Sequence, residues 1–304
     1  MSNIFDRFDW IVDDGKALNA RVSRERRQES RRVRRQGGMT MKTLLALALS
    51  LICGVSAASA TQWPGGAKAA VVLTYDDALD SQLDHAVPVL DEAGFKGTFF
   101  LTGLKLAAIP RWRAVGAGGH ELANHTLFHP CPASKFSTEP RYTSEAYTPA
   151  AMLREIEQQN VLLTALDGKP THGFASPCGQ TLAGGVDYIE TLRAANLVTY
   201  ARGVYTSPDD LRADVGRMDP MHIPSRGFDE AVTGAQLIAF AKEAQTGGGM
   251  AVYLFHGVGG DYLQVSDPAH RELVAWLAAH RDEVWVTTLQ GALDWAKAHP
   301  DAKH

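Results

Sequence analysis

The chain has 304 residues, 45% of them hydrophobic, enough to bury a large core as one α/β domain or two smaller ones. Its formal net charge of −4 is unevenly spread: residues 1–60 hold 11 of the 30 basic and 6 of the 34 acidic residues, leaving 19 against 28 in the remainder. A segment that acidic lacks the basic footprint of nucleic-acid recognition, so no nucleic-acid partner is expected.

Residues 41–60 read as an export signal. Met41-Lys42-Thr43 is a short positive start, Leu44-Leu45-Ala46-Leu47-Ala48-Leu49 an apolar centre, and Ala58-Ser59-Ala60 a small-residue cleavage site. The apolar run is too short to span a bilayer, so no stable membrane span is expected once the signal is removed. Signals stand at chain starts, so the basic stretch before it is expected to precede a true start at Met39 or Met41. The alternatives are a long basic lead or a twin-arginine signal at Arg34-Arg35, which Gln36-Gly37-Gly38 fits badly. Cys53 follows Ile52 rather than a small residue, which argues against a lipid anchor. The expected organisation is therefore residues 1–60 as extension plus signal, and 61–304 as one catalytic domain in the periplasm or outside the cell. Cys131 and Cys178 remain, in a compartment that permits disulfides; they are either one bridge or two buried thiols.

After residue 60, strand-like and helix-like segments alternate, which favours a mainly parallel α/β architecture. Residues 71–75 form an apolar strand signal, and 81–93 a helix ending at Gly94, with Pro88 as a kink or a fresh start. Residues 97–101 are the next strand. Thr148-Pro149 caps a long helix whose stripe of Met152, Ile156, Leu163 and Leu166 faces the core, ending at Gly168. Residues 174–177, 198–201, 252–255 and 284–287 are further short strands. Segments 131–147 and 203–227 are long, polar, Pro-containing loops of the kind that shape a groove.

Chemistry-bearing residues fall at strand ends. Asp76 and Asp77 close the first strand, and two adjacent carboxylates there raise each other's pKa unless a cation intervenes. His125 and His129 stand four apart and share a face if that stretch is helical. One carboxylate with two imidazoles, leaving open positions, is a recurring catalytic metal site. His256 ends the strand at 252–255, on the edge where parallel α/β folds assemble active sites. His120, Glu121, Asn124, His172 and His222 read as structural, and Trp276, Trp285 and Trp295 as core.

Thr74-Tyr75-Asp76-Asp77-Ala78, His125-Thr126-Leu127-Phe128-His129, Pro177-Cys178-Gly179 and Leu254-Phe255-His256 occur in this order. Together they resemble the successive motifs of the polysaccharide deacetylase family, the metal-dependent carbohydrate esterases with a NodB-type domain. The resemblance spans about residues 62–295. It implies a distorted (β/α)7 barrel and removal of acetyl groups, N-acetyl or O-acetyl, from an acetylated glycan. It implies Asp77, His125 and His129 as ligands of a divalent metal, most often Zn2+. Asp76 would be the general base, His256 the general acid, and the Cys178 backbone N–H an oxyanion donor.

One departure matters. The family's third motif carries an Arg that pairs with the base and an aromatic after the proline; here Ala175-Ser176-Pro177-Cys178 stands instead. Arg202, expected just after the strand at 198–201, is the candidate to supply the missing guanidinium. A metal-retaining but catalytically weakened carbohydrate-binding protein is the alternative. Retention of Asp76 and His256 favours the enzyme, since binding alone needs neither base nor acid.

Overall fold

The computed structural model describes residues 62–135, 139–204 and 215–299. The expected extension, signal segment and Cys53 lie outside the described residues. Ten strands are present among them: β1 (Ala69–Asp76), β2 (Thr98–Leu101), β3 (Glu121–Asn124), β4 (Phe174–Ala175), β5 (Leu182–Ala183), β6 (Val186–Asp187), β7 (Ala201–Arg202), β8 (Arg226–Gly227), β9 (Met250–Phe255) and β10 (Val284–Thr287). β5 and β6 pair as a small antiparallel hairpin; the others form one parallel sheet in the order β7-β4-β3-β2-β1-β9-β8, with β10 beside β1.

β1 is the hub of this sheet. Its first half pairs with β10 and its last residues with β2, while β9 runs along the other edge. β10 thus splays away below β2, and seven strands are left to curl into a ring. The curl closes where Ile223 bridges Arg202: Ile223 N donates to Ala201 O, and Gly203 N donates to Ile223 O. The segment then continues into β8 against β9. This is the expected (β/α)7 arrangement.

Period-two alternation decides what β1 offers to each side. Ala69, Val71, Leu73 and Tyr75 pack outward into the layer under the helices. Ala70 and Val72 point into the ring with Phe100, Ala123, Ala175 and Val252. Asp76 has the parity of Ala70 and Val72, so the same alternation carries its carboxylate inward at the C-terminal mouth.

Among the described residues, seven α-helices lie outside the ring: α1 (Val87–Glu92), α2 (Ile109–Ala117), α3 (Pro149–Asp167), α4 (Ile189–Ala195), α5 (Gly234–Gly247), α6 (Asp267–Ala279) and α7 (Leu289–Ala298). Thr148 caps α3 by accepting from Ala151 N, Gly168 ends it at φ 73°, and Met152, Ile156, Leu163 and Leu166 are buried as the stripe predicts. No helix among the described residues is long and apolar enough to cross a membrane.

Several boundaries differ from the sequence reading. The helix expected at 81–93 is a wide turn, Gln82–Ala86, followed by α1, with Pro88 in the first turn of α1 as a fresh start. The strand expected at 174–177 stops at Ala175, because Pro177 has no N–H for the ladder and opens a tight turn. The strand expected at 198–201 pairs only at Ala201–Arg202, so Arg202 is on a strand rather than after one. β8 falls inside the expected loop 203–227, where two residues with one ladder each leave no periodic signal.

Candidate metal centre

The motif loops at the mouth are built on unusual backbone. Asp77 (φ 80°), Ala78 (φ 56°), Thr126 (φ 61°), His129 (φ 50°) and Cys178 (φ 54°) are all left-handed. Such conformations cost on the order of 1–3 kcal/mol each for non-glycine residues, and persist where surrounding contacts over-determine them. The stretch from His125 to His129 is therefore a folded loop and not the helical turn that would put both rings on one face. Asn124, fixed through its amide to Ile156 O and Asn160, accepts from Thr126 N at 2.8 Å. Thr126 Oγ1 in turn accepts from His129 N at 3.0 Å. Asn124, read from sequence as structural, sets the loop that aims the second imidazole.

This loop brings the two imidazoles and Asp77 onto one point. His125 Nε2 lies 3.4 Å and His129 Nε2 3.3 Å from Asp77 Oδ1, with 3.1 Å between the two nitrogens. Asp77 Oδ1 is buried and accepts no hydrogen bond among the described residues. His125 Nδ1 donates to Ala175 O at 2.8 Å, which leaves the Nε2 lone pair free to ligate. Burial and then the neighbouring Asp76 charge push Asp77 up to about 6, while burial lowers His125 to about 3 and lowers His129. Three lone-pair donors crowded together out of water, with the imidazoles held neutral, fit a divalent cation. His129 also groups with Cys131 and Cys178, but those sulfurs are bonded to each other and offer no thiolate.

Beside this cluster Asp76 is handled differently. Its Oδ1 accepts from Arg202 Nη2, and both side chains are buried. Arg202 also lies against the Phe100 ring, 4.7 Å from its centroid. Burial pushes the Asp76 carboxyl up, but Arg202, with His125 and His256, outweighs it and holds Asp76 below its ordinary value. The guanidinium absent at Ala175 thus comes from the adjacent strand, since β4 and β7 pair Ala175 with Arg202.

That geometry yields a pH prediction. A base works only when ionised, so rate falls as pH drops through its pKa. Arg202→Met removes the largest of the influences that oppose burial at Asp76, raises the Asp76 pKa, and moves the acidic limb of the rate profile to higher pH. Arg202→Lys, retaining the charge, should shift it less. Losing one partner of a buried pair also costs about 3–5 kcal/mol of stability, read as a lower melting temperature. An acidic limb unmoved in Arg202→Met would show that the guanidinium does not govern Asp76.

His256 follows β9, and its Nε2 stands 3.8 Å from Asp77 Oδ2 on the far side of the cluster. Its backbone carbonyl is tied down by Gln82 Nε2. Cys178 sits in the turn Pro177–Gly179 and is disulfide-bonded to Cys131, with a Cα–Cα distance of 5.7 Å. The bridge ties that turn to the loop after His129. Asp76, Asp77, His125, His129, Cys178, Arg202 and His256 all line one cavity of about 620 Å3.

Sequence reasoning missed Tyr262, whose hydroxyl donates to Asp77 Oδ2 at 2.9 Å and leaves Oδ1 to face the imidazoles. The signal was an aromatic in the glycine-rich loop directly after His256. That loop is pinned where Asp261 accepts from Ser81 N. Of the residues read as structural, Glu121 holds Thr98, Tyr200 and Gln290 N at the opposite end of the ring. His120 bonds Gly97 N, His172 pairs with Asp167, and His222 with Asp219. Trp276 is half-buried against the layer under the helices, Trp285 and Trp295 are half-buried against the cluster inside the ring, and none lines the metal cavity.

Residues 65–197 match the family model described as polysaccharide deacetylase, a span that includes Asp76, Asp77, His125, His129 and Cys178. No curated protein sequence matches the chain. Among solved structures it is similar to a candidate polysaccharide deacetylase from Mycobacterium smegmatis, at 17% identity and TM-score 0.57 over 81% of this chain and 97% of that one. It is also similar to the catalytic domain of a peptidoglycan N-acetylglucosamine deacetylase from Eubacterium rectale ATCC 33656, at 19% identity and TM-score 0.51 over 77% and 94%. At such identities the likeness is one of fold, and the fold is the curled parallel (β/α) barrel described above. The matched segment, which carries the Asp-Asp and His-x-x-x-His motifs on that fold, makes residues 65–197 similar to the polysaccharide deacetylase family.

Proposed function

We propose that the chain is an exported, divalent-metal-dependent hydrolase that removes acetyl groups from a polysaccharide or oligosaccharide, N-acetyl in preference to O-acetyl. One observation carries the reading: Asp77, His125 and His129 converge beside a second carboxylate, Asp76, that a buried arginine keeps ionised. A donor set of two imidazoles and one carboxylate suits zinc, which would acidify water and polarise the acetyl carbonyl. The N-acetyl preference follows the name of the Eubacterium rectale relative. Export is supported by the signal-like residues 41–60 and by the Cys131–Cys178 disulfide, since such bonds persist in oxidising compartments.

The residues then divide the work. Asp76 Oδ1 is engaged by Arg202, so Oδ2 takes the proton of the attacking water. The Cys178 N–H, held in a turn that the disulfide ties down, donates to the oxygen that gains charge; such donors supply about 3–4 kcal/mol. His256, which lines the same cavity, gives a proton to the leaving nitrogen as the C–N bond breaks. The products are acetate and the free amine. The weakened binding-protein alternative rested on the lack of a guanidinium for the base, and the Arg202–Asp76 pair removes that ground.

The test is acetate release by the zinc-loaded chain from residue 61, across acetylated chitin-type oligomers, peptidoglycan, exopolysaccharide and xylan. Release from at least one, abolished by a chelator, is expected. Binding without release from all of them would leave only the carbohydrate-binding alternative.

A further inference from the structure

His129 faces two sets of donors at once. Its Nε2 lies 3.3 Å from Asp77 Oδ1 and 3.1 Å from His125 Nε2, while its Nδ1 lies 3.4 Å from Cys131 Sγ. A neutral imidazole carries one N–H and one lone pair, so it ligates through one nitrogen at a time. With Nε2 turned to Asp77 and His125, Nδ1 holds the proton and donates toward Cys131 Sγ. A ligand histidine ordinarily has a carboxylate or a carbonyl at this position. His125 has one in Ala175 O, whereas His129 Nδ1 meets a disulfide sulfur, a weak acceptor.

Cys131 and Cys178 both line the metal cavity, and Cys178 is half-buried there. A dithiol reductant can therefore open the bridge. One of its thiolates bonds Cys178 Sγ as the S–S electron pair passes to Cys131 Sγ. Its second thiol then displaces Cys178, so the reductant leaves as a disulfide and two protein thiols remain. Cys131 stays where it is, because Ser144 N donates to its carbonyl and Thr143 bridges its backbone. A ring nitrogen of His129 and the two sulfurs all lie within 4.8 Å of one another. Tetrahedral zinc, with bonds of about 2.3 Å to sulfur and about 2.0 Å to nitrogen, spaces such ligands about 3.5 Å apart. The Cys131 Sγ–His129 Nδ1 pair already has that spacing.

Resting on the proposed metal-dependent hydrolysis, we propose that reduction of the disulfide creates a second metal site, made of Cys131 Sγ, Cys178 Sγ and His129 Nδ1. It takes a soft divalent ion such as zinc or cadmium, which the two sulfurs bind as thiolates with release of two protons. The two sites share one imidazole and exclude each other. Oxidised protein keeps His129 beside Asp77 and His125. Reduced protein turns it to the sulfurs and leaves the hydrolytic centre one ligand short. The hydrolase is thus active where disulfides persist and silent where a dithiol reductant is present.

The test titrates the metal-free chain with Cd2+, whose bonds to thiolate give an ultraviolet charge-transfer band that bonds to imidazole and carboxylate do not. The chain is used oxidised, or reduced with a dithiol that is then removed anaerobically by gel filtration. Oxidised protein should bind its ion without the band. Reduced protein should bind a single ion with the band, and His129→Ala should weaken that binding about tenfold or more. Cys131→Ser/Cys178→Ser, which frees the turn without supplying thiolates, should bind its ion as the oxidised chain does. Reoxidation should remove the band and restore hydrolysis. No band on reduction, two ions held together by reduced protein, or a band indifferent to His129→Ala would each overturn the proposal. The cadmium readouts need no substrate, so a failure to release acetate would count against the glycan reading alone.

Discussion

Stripping the metal should abolish acetyl hydrolysis, and restoring a divalent ion should recover it. A bound divalent ion lowers the pKa of water from about 15.7 to about 7, and no other group at this site does so at neutral pH. The site variants should then rank by what each atom does. His125→Ala and His129→Ala remove a ligand and should lower metal occupancy sharply. Tyr262→Phe keeps all three ligands and removes only the hydrogen bond to Asp77 Oδ2, so its loss should be about 10–100-fold in affinity. Competition with a chelator reads this directly, without any substrate. Equal metal affinity in Tyr262→Phe and the unmodified chain would show that the hydroxyl does not position Asp77, and full hydrolysis by metal-free protein would end the mechanism.

Asp76→Asn should keep its metal and lose about 10²–10⁴ in kcat, the usual worth of general acid–base catalysis. The amide retains an oxygen for Arg202, so the buried cation keeps a polar partner, but nothing remains to take a proton. Asp77→Asn should lose metal affinity as well as rate, because Asp77 Oδ1 is the oxygen that faces both imidazoles. The two residues are adjacent, yet alternation along β1 sends Asp76 into the ring, while the left-handed turn at Asp77 aims it at the histidines. Metal content and kcat by single-turnover measurement separate them. Identical metal loss and identical rate loss in both variants would mean that base and ligand had been assigned wrongly.

The sequence by itself determined the parallel α/β class, the strand ends that carry chemistry, and the candidate aspartates and histidines, while the barrel came from the family resemblance that those motifs carry. These are local signals: an apolar run closed by Asp76-Asp77, a cap and stop around Thr148 and Gly168, and histidines at short spacing. It also pointed to Arg202, though only as a residue near a neighbouring strand end. What the tertiary structure alone decided is how those residues meet. The register of β4 against β7 puts Arg202 level with Ala175, so a side chain 27 positions away fills the place of a missing one. Residues 125–129 give no sign that Asn124 and Thr126 fold them into a loop, since that depends on hydrogen bonds to α3. Tyr262 reaches Asp77 across 185 residues, and the Phe128–Tyr142 stack joins two loops 14 residues apart. Contacts of this kind leave no periodicity in the chain, because they are made by side chains from irregular segments whose positions the closed ring of strands sets.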